Sequence, residues 1–276
     1  MTLVLHHSGA SPEAGSGALT WLSAVSPSSE ERRRLQEEFG FDAELIDHAL
    51  DPNERPRISR TKESKLTFVV LRVPWFEGPN AEVPYTTVPV GLILGGATNL
   101  VICARDAPMA LELLRFAEQP AERGGFQRTL LRALELTAEA YLTSLDAIAE
   151  AVDKVEAQLQ RSFENREVLQ LLRYQKSLVF FTSALGAMHR MLERLDHIPS
   201  LRVSAEDEMW LEEDKVEFQQ ALDTSVMARD VLSETMDAFA SIISNNLNFV
   251  MKFLATAAMV LAVPTMIASI YGMNVR

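Results

Sequence analysis

The sequence predicts an α+β fold in three stretches: a mixed α/β domain, a helical pair, and a very long stalk helix that continues into a transmembrane helix. Three observations carry this. Apolar, β-rich runs separated by glycine turns occupy the chain up to about residue 120. After Gly124 and Gly125 the pattern is helical alone. Finally, Phe253–Met273 holds no charged residue over 21 positions, and it follows an acidic segment that contains neither Gly nor Pro.

The elements follow in chain order. Residues 1–18, with a Gly/Ser-rich stretch from Ser8 to Gly17, read as a flexible tail that includes His6 and His7. Leu19–Ala24 is apolar and reads as a short strand. Ser28 and Glu31 have capping-box spacing, so a helix starts there and runs to about Phe39. A second helix is expected over Asp42–Leu50, followed by a loop at DPNERP, residues 51–56. Leu66–Val73, Val88–Leu94 and Leu100–Ala104 are β-rich and read as strands, with turn residues at Gly78–Asn80 and Gly95–Asn99. Met109–Glu118 reads as a helix that closes an α/β domain over 19–120. Two helices, Gln127–Phe163 and Arg166–His197, form the pair over 121–203. Pro199 marks the break before the stalk.

The stalk opens at Ser204, where Ser204 and Asp207 have capping-box spacing with Asp in place of Glu. Leu232, Met236, Phe239, Ile243, Leu247, Val250 and Leu254 recur at steps of 3 and 4, so one helix is expected from Ser204 to Tyr271. Its length is roughly 100 Å at ~1.5 Å per residue. A helix this long needs partners along its length, which predicts a homo-oligomer. The acidic stalk, 204–248, carries eleven Asp and Glu against two basic residues, most of the chain's formal charge of −12. Most such charges are solvated, but like charges brought together at subunit contacts would be relieved by hard divalent cations on oxygen ligands. Glu212, Glu213 and Asp214 are the candidates.

The uncharged run is roughly 31 Å long as a helix, the thickness of a bilayer hydrocarbon core. Lys252 before it and Arg276 after it sit where cations snorkel to the interface. Asn248, Met251, Ala255, Ala258, Ala262, Thr265 and Ser269 form one stripe of mostly small or polar side chains at alternating steps of 3 and 4. Small residues permit close helix packing, and they also leave room for a lumen. Periodicity leaves both readings open.

Composition narrows the function. A chain that is 47% hydrophobic and 23% charged is neither disordered nor made mostly of membrane spans. No basic stripe for nucleic acid appears. The single cysteine, Cys103, makes no internal disulfide and no Cys-ligated cluster, and no signal-peptide pattern opens the chain. There is no GxSxG, P-loop, HExxH or GxGxxG motif, so neither an enzyme nor an organic cofactor is expected. His189 and Glu193, four apart on one helix, read as a surface pair.

The segment NNLNFVMKFLATAAMVLAVPTMIASIYGMN, Asn245–Asn274, resembles the CorA family of divalent-cation channels, above all in Tyr-Gly-Met-Asn at Tyr271–Asn274. DPNERPRI ahead of Leu66–Val73 is also similar to the family. The resemblance implies a CorA-like homopentameric funnel in a bacterial or archaeal inner membrane, with the large N-terminal body cytosolic. Five first membrane helices (249–274) would line the pore. Asn274 would be the selectivity-ring amide, presented by Gly272 and Met273. Thr265 would form a polar ring deeper in the pore, Met251 and Leu254 the hydrophobic constriction, and Asn248 a polar ring at its cytosolic end. Ala258, Ala262 and Ser269 share that lining stripe. Mg²⁺ would be both cargo and regulator, with regulatory sites involving Glu212–Asp214. The chain stops two residues after Asn274, so the resemblance implies that an external loop and second membrane helix follow in the complete protein. The zinc-transporting branch typically has Val in place of Met273, so the signature favours Mg²⁺, with Co²⁺ or Ni²⁺ as further ions. Two alternatives stay open: a proton-coupled zinc transporter, and a membrane-anchored ion sensor that does not conduct.

Overall fold

The computed structural model describes residues 3–7, 20–61, 66–95, 98–105, 112–113, 126–162, 165–195, 198 and 201–272. Six strands form one sheet: β1 (Leu3–His7), β2 (Thr20–Val25), β3 (Arg57–Arg60), β4 (Thr67–Phe76), β5 (Tyr85–Leu94) and β6 (Thr98–Cys103), in the order β1-β2-β6-β5-β4-β3. Among the described strands, only the β2–β6 pair is parallel. The helices described over their full length are α1 (Ser29–Glu37), α2 (Ala43–Leu50), α3 (Phe126–Ser162), α4 (Asn165–Glu193) and α5 (Glu208–Gly272).

Side-chain alternation divides the buried apolar residues of the central strands between two cores. Val69, Leu71 and Val73 of β4, with Val88, Val90, Leu92 and Leu94 of β5, face the larger core built with α3, α4 and α5. Phe68 and Val70 of β4, Ile93 of β5, and Leu100 and Ile102 of β6 face the smaller core under α1 and α2. Both faces of the central strands are covered, so these strands read in the sequence as continuous apolar runs rather than as alternation. The larger core draws on sheet and helices together.

Local chemistry explains the element starts. Glu31 N–H donates to Ser28 Oγ (3.3 Å) while Ser28 N–H donates to Glu31 Oε2 (2.8 Å), closing the expected capping box of α1. Asp42 caps α2 through Glu44 N–H (2.9 Å). At the stalk, Ser204 Oγ accepts from Asp207 N–H (3.3 Å) in a turn, and the helix begins at Glu208 rather than Ser204. Asp207 is tied to Arg128 of α3 at 2.9 Å, which anchors the start of α5 to the body.

Several sequence expectations need correction. The expected flexible tail contains β1, paired antiparallel with β2 from Leu3↔Ala24 to His7↔Thr20. β3 was not expected, because Arg-Ile-Ser-Arg carries no apolar run; it is an edge strand, where charged residues discourage further pairing. β4 runs past its expected end, through Pro74, and β5 starts earlier than expected, at Tyr85, with Pro89 inside it. Both prolines lie beyond the partner strand on one side: β3 pairs only Thr67–Val70 of β4, and β6 pairs only Val90–Ile93 of β5. Their missing N–H groups therefore break no ladder. Of the helix expected over Met109–Glu118, Glu112 and Leu113 are described and are helical; the rest lies outside the described residues.

Candidate cation pathway

α5 is a single helix of 65 residues, about 97 Å long at ~1.5 Å per residue. Its first half docks on α3 and α4. Leu211, Phe218, Ala221, Ser225, Leu232 and Phe239 are buried, and Thr182 Oγ1 of α4 meets Ser225 Oγ at 2.9 Å. Beyond Phe239 the helix leaves the body. Its most apolar 18-residue window is 0% buried, and by length and composition it can cross a membrane. Water would solvate this surface poorly, because burying apolar area gains about 25 cal/mol per Å².

The stripe residues Asn248, Met251, Ala255, Ala258, Ala262, Thr265 and Ser269 are all exposed on this free segment, as is Leu254. Pro264 lies inside the helix, next to Thr265. Thr265 Oγ1 donates to Leu261 O (2.7 Å), and Thr256 Oγ1 donates to Lys252 O (2.9 Å). Each hydroxyl is satisfied on its own helix and keeps lone pairs to offer a hydrated ion. Gly272 ends α5; Met273 and Asn274 lie outside the described residues.

The acidic stalk is less uniform than its sequence. Glu212 accepts from Lys215 Nζ (2.6 Å), Asp223 from Gln219 Nε2 (2.7 Å), and Asp230 pairs with Arg229 (2.9 Å). Glu213 is exposed, whereas Asp214 is 1% exposed and turned into the body. Glu212, Glu213 and Asp214 are thus separated by helix geometry. Among the described residues, no group of three acidic, His or Cys side chains stands ready to hold a metal within one chain.

Asp214 instead belongs to a cluster that spans two helices. Burial pushes its carboxyl up to about 8, helped by Glu135 of α3 and by Glu217 and Glu213, with Arg132 opposing. Glu217 is raised too, by burial first and then by Glu139, Glu135 and Glu213. Asp214 Oδ2 and Glu217 Oε2 are buried without a hydrogen-bond partner. Arg132 is drawn off by Glu135 (2.9 Å) and Glu112 (3.0 Å). Glu135 and Glu139 were not singled out in the sequence, although their i,i+4 spacing places them on one face of α3. By contrast, burial alone would raise Asp207, but Arg128 and Ser204 outweigh it and hold its carboxyl below the usual range. His189 and Glu193 remain a local pair at 3.7 Å.

A family described as CorA-like Mg²⁺ transporter protein matches residues 16–276 of the chain. Two curated relatives are both cobalt/magnesium transport proteins CorA. The one from Methanocaldococcus jannaschii is 25% identical over 260 residues, covering 93% of this chain and 80% of the relative. The one from Thermotoga maritima is 23% identical over 270 residues, covering 95% and 75%. The fold is similar to the complete CorA magnesium transporter of Methanocaldococcus jannaschii, with a TM-score of 0.81 at 23% identity over 96% of this chain and 83% of that one.

Proposed function

The chain belongs to the CorA-like Mg²⁺ transporter family, and from that premise we propose that it forms a homopentameric channel for hydrated Mg²⁺ in the inner membrane of a bacterium or archaeon. The observation that carries this is the free apolar half of α5, with its stripe of mostly small or polar side chains. Five such helices turn the stripe inward and the large apolar side chains toward lipid and neighbouring helices. Asn248 and Thr265 then supply polar rings, and Met251 and Leu254 an apolar constriction able to gate by dewetting. Ala258, Ala262 and Ser269 keep the lumen open between them. Gly272, Met273 and Asn274 form the outer mouth, where a ring of amide oxygens hydrogen-bonds the waters of Mg²⁺ without stripping them. The relatives' names support Mg²⁺ and Co²⁺ as cargo.

The N-terminal body is cytosolic on this reading and closes the pore when internal Mg²⁺ is high. The residues fit a regulatory cation in chemical type. Asp214 and Glu217 hold unpartnered oxygens beside Glu135 and Glu139, and the exposed Glu213 faces outward, free to join a ligand set at a subunit contact. A bound cation offsets the repulsion among these carboxylates, which favours the packed form of the body.

Ion uptake into proteoliposomes carrying the full-length protein tests the reading. Mg²⁺ entry without a pH gradient is expected, and Asn274→Ala is expected to lower it by at least about tenfold, since the amide ring sets entry into the pore. Zinc uptake that requires a pH gradient would replace the channel by a proton-coupled transporter. No uptake of either ion by assembled oligomers at low internal Mg²⁺ would leave a non-conducting sensor.

A further inference from the structure

A cavity of about 680 Å³ opens between the segment 55–58 and the C-terminal end of α4, within the range of about 300–1,000 Å³ typical of small-molecule sites. Arg55 and Arg57 line one side, Arg190 and Arg194 the other, with Ile58 and Met191 among the apolar residues between them. A second recess of about 390 Å³ shares Arg55 and Arg190 with it and adds Arg72. Five guanidinium groups thus gather around two adjoining hollows in a chain whose formal charge is −12.

Two of these arginines are structural. Arg72 Nη1 donates to Pro52 O (2.8 Å) and Glu54 O (2.9 Å), which clamps the loop carrying Arg55. Arg57 Nε donates to Glu54 Oε1 (2.9 Å) and its guanidinium lies over the Phe68 ring at 5.4 Å. Glu54 Oε2 is taken by His48 (2.8 Å). Among the described residues, Arg55, Arg190 and Arg194 have no carboxylate partner. Cations gathered around one cleft repel one another, and their planar forks match phosphate oxygens bidentately.

We propose that this cleft binds a soluble, multiply charged phosphate compound with an apolar organic part, of the nucleoside di- or triphosphate class. The arginines take the phosphates, and Ile58 and Met191 take the organic part. A lipid headgroup is the wrong source. Gly186, one turn before Arg190, packs beside Leu222 of α5, and Leu222 precedes Phe253 by 31 residues, about 46 Å of helix.

Calorimetric titration of the full chain in detergent, with chelator present so that no metal bridges the ligand, tests this. ATP is expected to bind, more tightly than inorganic triphosphate. The double variant Arg190→Gln/Arg194→Gln is expected to bind ATP at least about tenfold more weakly, as the loss of two charge-assisted pairs requires. Arg55→Gln, on the opposite wall, should weaken it as well. Arg166→Gln serves as the control, since Arg166 lies at the far end of α4 beside Glu167. All variants are compared at matched far-UV circular dichroism and elution volume. No ATP binding by the assembled wild-type protein, or equal ATP affinity in the double variant and the control, overturns the site. Triphosphate binding as tightly as ATP overturns the assignment of the organic part. None of these readouts depends on ion flux, so they fail independently of the channel reading.

Discussion

At the scale of single residues, Asp214 carries a large electrostatic signal. Its carboxyl is raised from 3.8 to about 8 by burial and by three neighbouring carboxylates. Between about pH 4 and pH 8 the folded protein therefore keeps a proton that the unfolded chain releases. Stability falls as pH rises through that window, and the loss is complete above it. Below it both states are protonated and no difference remains. The penalty at pH 8 is on the order of 5 kcal/mol. Asp214→Asn, which removes the charge and keeps the shape, should melt at a higher temperature than the wild type at pH 8 and at the same temperature near pH 4. An advantage that is constant with pH would assign the effect to packing.

Gly91 makes a different residue-scale demand. A Cβ there would stand 2.5 Å from Ala49 Cβ and 3.1 Å from Ile102 Cγ2, so α2 rests on β5 only because position 91 has no side chain. Gly91→Ala should cost about 1–3 kcal/mol by overpacking, measured by thermal melting. Adding Ala49→Gly should recover part of the loss.

At the scale of elements, α5 is two helices in physical character. The docked half is held by Phe218, 0% exposed, and by Leu211, Ala221 and Ser225 against α3 and α4. Phe218→Ala should cost about 3–5 kcal/mol. Hydrogen exchange should then rise over residues 208–239 while the sheet stays protected. Uniform loss of protection would show that stalk and sheet unfold as one unit. The free half has no packing inside one chain, and Pro264 removes one helical hydrogen bond there. Neighbouring helices can compensate that loss in a membrane bundle.

At the scale of the whole molecule, the free half of α5 and the acidic cluster both point beyond one chain. Mg²⁺ should protect the body of the assembled protein against protease by binding the packed form. The combined substitutions Glu212→Gln, Glu213→Gln and Asp214→Asn should weaken that protection. Protection unchanged by them would remove these three residues from the proposed regulatory site.

Much of this protein is written in its sequence because it follows from local rules. The capping box at Ser28 and Glu31 needs only two residues three apart, and it forms as expected. The stalk and its membrane-length run follow from steps of 3 and 4 and from the absence of charge, and the helix runs unbroken to Gly272. The Tyr-Gly-Met-Asn signature carried the family. What tertiary structure decided depends on residues far apart in the chain. β1 and β3 are strands because β2 and β4 offer them free edges; β3 has a single apolar residue, and the short Leu3–Leu5 run of β1 does not signal a strand by itself. Asp214 differs from its neighbours Glu212 and Glu213 because one helix position turns it about 100° further round, into the face of α3 that carries Glu135 and Glu139. The arginine-lined cleft joins residues more than a hundred positions apart, which no local spacing reveals. Periodicity sets which residues share a face, and only packing sets what that face meets.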